Sequence, residues 1–114
     1  MEHVIRFEID ATRYFVWRQG EWCFEASVGG VEGETVNLDV EIPYRELPGM
    51  ANLRRFPITL EDGLCLEMER RSGVQDDVTV VVDAVQGSQV MLRFDLPDGV
   101  QIRPMEHDAD AAAG

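Results

Sequence analysis

The feature that most constrains the fold is a run of alternating apolar and polar residues from Asp76 to Arg103. Apolar side chains recur at every second position on both sides of a Gln-Gly turn: Val78, Val80, Val82 and Ala84 before it, and Val90, Leu92, Phe94 and Leu96 after it. A period of two is the spacing of side chains on one face of a β-strand. The stretch therefore predicts a hairpin with one buried face, followed by a Pro-Asp-Gly corner and a third short strand.

The same alternation recurs along most of the chain. Further strands are expected near residues 3–9, 14–17, 22–28, 36–42, 58–60 and 64–68, and no long segment keeps a helical period. The pattern predicts an all-β fold, a small antiparallel barrel or sandwich of eight or nine short strands. Residues 43–57 contain three prolines, and we expect a long connection there with one helical turn near Met50–Arg54.

The length of 114 residues predicts a single β domain over residues 1–104, and the segment 105–114 is expected to be a disordered acidic tail. Within the domain, the turn Gly30–Gly33 and its following strand match the turn Ala84–Gly87 and its following strand, at a constant offset of 54 residues. Two half-repeats, 1–50 and 51–104, related by a pseudo-two-fold axis are one interpretation, and coincidence between two hairpins is the other.

The charge balance is strongly acidic. There are 22 Asp and Glu residues against ten basic residues, all of them arginine, and the net charge is −12. Such a charge repels phosphate backbones at long range and argues against generic nucleic-acid binding. Cys23 and Cys65 lie far apart, and without a recognisable export signal they are expected to be reduced thiols in a cytoplasmic protein. No apolar run has the roughly 20 residues of a membrane span, so no membrane partner is expected.

Motifs for catalysis and cofactor binding are missing from the sequence. His3 and His107 lie at opposite ends, and neither has a cysteine or carboxylate at metal-ligand spacing. There is no nucleophile elbow, phosphate-binding loop or dinucleotide fingerprint. We therefore expect a non-enzymatic protein without a metal or a cofactor.

The segment over about residues 66–106 resembles the carbon storage regulator family (CsrA/RsmA), small translational regulators that bind RNA. The family's strand D-x-V-T-V-x-V, its turn V-x-G-x-Q-V and the strands that follow are matched by Asp77, Val78, Thr79, Val80, Val82, Val85, Gly87, Gln89, Val90, Pro97, Val100 and Glu106. Upstream, Met68–Gly73 is similar to the family's first strand and turn, L-T-R-R-x-G. Family members are strand-exchanged homodimers, and a duplicated single chain could imitate such a dimer.

The sequence also departs from that family. The family has a second strand between its first turn and the D-x-V-T-V strand, and here it is missing or displaced. The resemblance implies RNA binding through basic residues of the first strand, matched by Arg70 and Arg71, and through a later arginine, where Pro104 stands. Arg103 lies one position earlier, and a shift of one residue along a strand turns a side chain to the opposite face.

Two groups of residues are candidates for binding. The arginines Arg54, Arg55, Arg70, Arg71 and Arg103 would form a positive patch for RNA or another phosphoryl ligand if their segments converge. Pairing of these arginines with nearby carboxylates is the alternative. A second group would form an interaction patch through stacking and cation–π contacts, unless its aromatic residues belong to the core. Its members are Arg13, Tyr14, Trp17 and Arg18.

The partner stays open between RNA and a basic protein. In the second case the chain would be an acidic interaction module or a nucleic-acid mimic, acting through outward carboxylates at Glu34, Asp39, Glu41, Asp76, Asp77, Asp83 and Asp95. A third alternative is a cyclic-dinucleotide sensor similar to PilZ domains, although Leu60 stands where their motif has a serine. A monomer with pseudo-dimeric halves and a homodimer both fit these hypotheses.

Overall fold

The alternating stretches form nine β-strands in the computed structural model, which describes residues 1–18, 21–43, 51–69 and 75–105. In chain order the strands are β1 (Glu2–Glu8), β2 (Arg13–Arg18), β3 (Glu21–Glu32), β4 (Thr35–Pro43), β5 (Ala51–Thr59), β6 (Gly63–Glu69), β7 (Gln75–Gln86), β8 (Gln89–Asp95) and β9 (Val100–Pro104). Within these ranges no residue is helical, and there is no helix long and apolar enough to span a membrane. The all-β prediction is confirmed; the predicted tail lies outside the described residues beyond Met105.

The strands form two antiparallel sheets that enclose one core. One sheet has four strands in the order β1-β8-β7-β6, and the other has five in the order β5-β4-β3-β2-β9. The apolar positions of the alternating pattern meet between the sheets, where the largest buried side chains are Phe7, Phe24, Leu38, Leu92 and Phe94. The two sheets do not close into a barrel, so the sandwich is the architecture found.

The prediction of a long connection over residues 43–57 is wrong for residues 51–57. Residues 51–59 form β5, which pairs with β4 from Thr59 opposite Thr35 to Ala51 opposite Pro43, and Arg54 lies in this strand rather than in a helical turn. β5 is an edge strand whose only neighbour among the described strands is β4. Pro57 is tolerated there because one side of an edge strand needs no ladder hydrogen bond.

The two halves of the chain have the same arrangement, and they exchange their first strands. β1 lies beside β8 at the end of the row β8-β7-β6, and β5 lies beside β4 at the end of the row β4-β3-β2. Strands β1 to β4 therefore correspond to strands β5 to β8, and each first strand completes the sheet of the other half. β9 has no counterpart among the described strands.

The correspondence extends to the pairing register of the hairpins. Val28 pairs with Leu38 in the β3–β4 hairpin, and Val82 pairs with Leu92 in the β7–β8 hairpin, each residue 54 positions after its counterpart. Directly after these pairs, the register shifts by one residue in both hairpins. The two hairpins therefore share a bulge as well as an apolar pattern.

The turns that lead out of the exchanged strands also match. After β1, the amide of Ile9 donates a 2.9 Å hydrogen bond to the carbonyl of Ser88, and after β5, the amide of Leu60 donates a 2.8 Å hydrogen bond to the carbonyl of Glu34. Ser88 and Glu34 are themselves 54 positions apart. Each exchanged strand is thus attached to the hairpin of the other half by the same backbone contact.

Gly33 and Gly87 occupy equivalent hairpin turns with φ angles of 63° and 61°. A Cβ atom at either position would meet no atom within 4 Å. Gly33→Ala and Gly87→Ala are therefore each expected to lower the free energy of unfolding by about 1 kcal/mol, through left-handed backbone strain alone. Urea unfolding measures this loss. Gly30→Ala is the control, because Gly30 has no positive φ; an equal loss there would contradict the explanation.

Candidate functional site

The outer face of β2 carries aromatic side chains. Alternation along the strand turns Arg13, Phe15 and Trp17 away from the core. Tyr14 faces inward, where its ring centroid lies 5.2 Å from that of the buried Phe7. Of the four residues predicted to form an interaction patch, Tyr14 therefore belongs to the rim of the core, whereas Arg13 and Trp17 lie on the surface.

Arg103 completes this surface from the neighbouring strand β9. It pairs in register with Phe15, and its guanidinium carbon lies 4.7 Å from the ring centroid of Trp17. Its Nη2 atom donates a 3.4 Å hydrogen bond to Oε1 of Gln101 on the same strand. A guanidinium above an indole is a favourable cation–π arrangement. We call the group Phe15, Trp17 and Arg103 the β2–β9 surface.

The two arginines of β2, Arg13 and Arg18, contribute to the fold. Nη1 of Arg13 lies 3.7 Å from Oε2 of Glu25, a residue that is only 5% exposed. A buried carboxylate needs a compensating charge, so Arg13 stabilises Glu25 at the border of the β2–β9 surface. Arg18 donates a 3.0 Å hydrogen bond from Nη2 to the carbonyl of Asp98. That contact holds the turn that leads into β9.

Arg55 lies at the opposite edge of the same sheet, and it is paired. Its Nε and Nη2 atoms donate hydrogen bonds of 2.7 and 3.0 Å to the two carboxylate oxygens of Asp39, and this pairing raises the pKa of the Arg55 guanidinium above its usual value. Three strands separate β5 from β9. At roughly 4.8 Å per strand step, the strands β5 and β9 are about 19 Å apart. Arg103 therefore does not converge with Arg54 and Arg55, because β5 and β9 are the two edges of one sheet.

Arg54 lines a groove between the two sheets. The groove has a volume of about 260 Å³ and lies where the edge strand β5 of one sheet faces the edge strand β6 of the other. Arg54, Cys65 and Glu67 line it together with the apolar residues Phe24, Val40, Ile42, Phe56 and Leu66. Cys65 is an exposed free thiol. The groove is thus apolar at its base and polar at its borders.

The remaining predicted residues, Arg70 and Arg71, lie outside the described residues, and their role stays a prediction. Sequence reasoning omitted Phe15 from the binding residues, although Phe15 shares the period of two with Arg13 and Trp17 and could have been found in this way. Glu25 could not have been found, because alternation alone predicts an exposed carboxylate at its position.

In the described part of the chain, no three His, Cys, Asp or Glu side chains are close enough to hold a metal ion. No protein-family model, curated protein or solved structure matches the chain. The geometry and charge of the β2–β9 surface and of the groove are therefore the basis on which a function can be proposed.

Proposed function

We propose that the protein is a non-enzymatic regulator that binds single-stranded RNA on the β2–β9 surface. The observation that carries this proposal is the guanidinium of Arg103 at 4.7 Å from the Trp17 ring, with Phe15 in register beside it. Bases of unpaired RNA stack on aromatic rings and on guanidinium planes. The β2–β9 surface carries both kinds of plane on the outer face of the five-stranded sheet, where Phe15 and Trp17 are half-buried.

The strand exchange supports the resemblance to carbon storage regulators. Members of that family are strand-exchanged homodimers, and here β1 and β5 are exchanged between the two halves of one chain. In addition, β6 includes Met68, which the resemblance matches to the family's first strand, and β6 pairs with β7, which contains the segment similar to the D-x-V-T-V strand. A single chain of this kind would act as a monomer with pseudo-dimeric halves.

The distribution of charge also favours this face for an anionic ligand. Among the described side chains on the outer face of the five-stranded sheet, three arginines face four carboxylates: Arg13, Arg55 and Arg103 against Glu25, Glu32, Asp39 and Glu41. On the outer face of the four-stranded sheet, the described side chains include six carboxylates and two arginines: Glu2, Glu8, Glu67, Asp77, Asp83 and Asp95 against Arg6 and Arg93. Because so few cations face the ligand, we expect binding to depend on stacking more than on phosphate contacts.

The test is fluorescence anisotropy with a labelled RNA hairpin that carries GGA in its loop, at low salt. Trp17→Ala is expected to weaken binding about tenfold or more, since a base–aromatic stack contributes about 1–3 kcal/mol. Arg103→Ala is expected to weaken it about fivefold, through loss of the guanidinium plane. Because few phosphates are neutralised, the affinity should fall only slightly between low and physiological salt.

Arg6→Ala is the matched control, because Arg6 is an exposed arginine on the outer face of the four-stranded sheet and its loss changes the net charge equally. It should alter the affinity by less than about twofold. Equal effects of Arg6→Ala and Arg103→Ala would reject the β2–β9 surface as the site. Failure of the unmodified protein to bind the hairpin at micromolar concentration would reject RNA as the ligand.

A basic protein is the second candidate for the partner. Glu67 and Asp77 are direct cross-strand neighbours, and both are exposed. Like charges in this position repel each other unless a cation lies between them. A complex that forms through this acidic face should dissociate as salt is raised, in contrast to a complex held by stacking.

A further inference from the structure

The two halves of the chain differ at the outer edge of β6. β2 is covered on its outer edge by β9, whereas its counterpart β6 pairs only with β7 among the described strands. Leu66 is the counterpart of Val16, because Leu66 pairs with Val78 and Val16 pairs with Phe24, two partners that are 54 positions apart. An uncovered strand edge presents N–H and C=O groups to which a further strand can bind.

The groove beside β6 corresponds to the space that β9 fills in the other half. Ile102 of β9 pairs in register with Val16 and packs against the core. The groove is lined by Leu66, the counterpart of Val16, and by apolar neighbours that include Ile42 and Phe56. It therefore has the position and the lining to accept one apolar side chain of an added strand.

The negative charges next to the edge of β6 favour a particular residue type beside the apolar residue of the added strand. Glu67 and Asp77 lie side by side on the outer face, and like charges at directly opposite positions of a sheet are unfavourable. A cationic side chain opposite Glu67 would lie near both carboxylates. The segment that fits best thus has an apolar residue facing the groove and an arginine or lysine at the adjacent, outward position.

We propose that the edge of β6 binds an extended segment of a basic protein partner, which adds as a fifth antiparallel strand to the four-stranded sheet. Its apolar residue lies opposite Leu66 in the groove, and its basic residue lies opposite Glu67. Main-chain hydrogen bonds supply affinity and the alternating side chains supply specificity, as in other strand additions. This site is separate from the β2–β9 surface and does not depend on RNA binding there.

Charge disfavours a second copy of this chain as the occupant. Two β6 edges in contact would place two strands that each carry Glu67 beside one another, on molecules that each have a net charge of −12. Like-charge juxtaposition of this kind suppresses association. A basic segment meets no such repulsion.

The experiment uses the full chain and a capped peptide with the β9 sequence Asp98–Met105 that carries Gln101→Arg. In β9, Gln101 lies opposite Trp17 and Ile102 lies opposite Val16, so in the corresponding register the new arginine lies opposite Glu67. The peptide is titrated into isotope-labelled protein to about 1 mM, a concentration that detects weak specific binding. We expect amide shifts and slowed hydrogen exchange along β6, and binding about fivefold tighter than that of the peptide with Gln101→Glu.

Glu67→Arg in the full chain should weaken binding of the arginine peptide about tenfold and reverse the preference between the two peptides. Glu34→Arg is the matched control, with the same charge change on the exposed β3–β4 turn, and it should change the affinity by less than about twofold. Equal effects of the two variants, or shifts confined to β2 and β9, would overturn the proposal.

Two further outcomes would also overturn it. The first is the absence of any β6 shift at the highest peptide concentration. The second is a β6 edge already protected from hydrogen exchange in the free protein, because a second copy or another part of the chain would then cover the edge. Light scattering distinguishes the two cases, because a second copy doubles the molecular mass in solution and another part of the same chain does not.

Discussion

Leu38→Ala and Leu92→Ala are each expected to lower the free energy of unfolding by about 3 kcal/mol. Both leucines are fully buried, and each lies in a strand that has a paired neighbour on both sides. Truncation removes apolar contacts and leaves a cavity that the closely packed sheets cannot collapse to fill. Urea unfolding followed by far-ultraviolet circular dichroism measures the loss. Because the two positions correspond, the losses should agree within about 1 kcal/mol.

Leu53→Ala is the control for these variants. Leu53 is a leucine on the outer side of β5 with 59% of its surface exposed. Its truncation should cost less than about 0.5 kcal/mol. A large loss at Leu38 combined with a small loss at Leu92 would show that the two halves do not contribute equally to one core.

Dividing the chain between residues 50 and 51 is expected to abolish independent folding of both fragments. Each half would lose the first strand that completes its sheet, since β1 pairs with β8 and β5 pairs with β4. It would also lose the second sheet that covers its apolar face, and a single sheet with one bare apolar face is not stable in water. Circular dichroism and size-exclusion chromatography of fragments 1–50 and 51–104 test this expectation.

An equimolar mixture of the two fragments should recover the sheet content of the intact chain and elute as a one-to-one complex. The strand exchange supplies the reason, because each fragment carries the strand that the other lacks. A fragment that folds alone as a monomer would contradict the exchange. Self-association of one fragment would agree with it, since β1 and β5 occupy corresponding positions and one could replace the other.

The strands follow from the sequence because a period of two is a local property of each segment. β5 is the informative exception. Arg54 occupies a position on the inward side of this strand, where it lines the groove, and Pro57 interrupts the pattern on the outward side. An edge strand tolerates both features, since one face is only half covered and one ladder is absent. Alternation alone could therefore not have identified it.

The partners of the strands could not be predicted in the same way. Alternation specifies which face of a strand is buried but not which strand lies beside it, so the exchange of β1 and β5 depends on contacts between distant segments. The β2–β9 surface likewise depends on contacts between distant segments. Trp17 could be selected from its aromatic neighbourhood, but its contact with Arg103 requires β9 to pair with β2.

Because β1 pairs with β8, β1 leaves the ribosome long before its partner strand is synthesised. Glu2 lies opposite Asp95, and the amino terminus donates a 2.8 Å hydrogen bond to the carbonyl of Leu96. The rows β2-β3-β4 and β6-β7-β8 join neighbours in the chain and can form early, whereas the β1–β8 and β2–β9 pairs join distant parts of the chain and form slowly. Until synthesis passes residue 95, β1 and the row β2-β3-β4 keep uncovered edges. The edge of β1 is therefore exposed to aggregation during the synthesis of β5, β6 and β7.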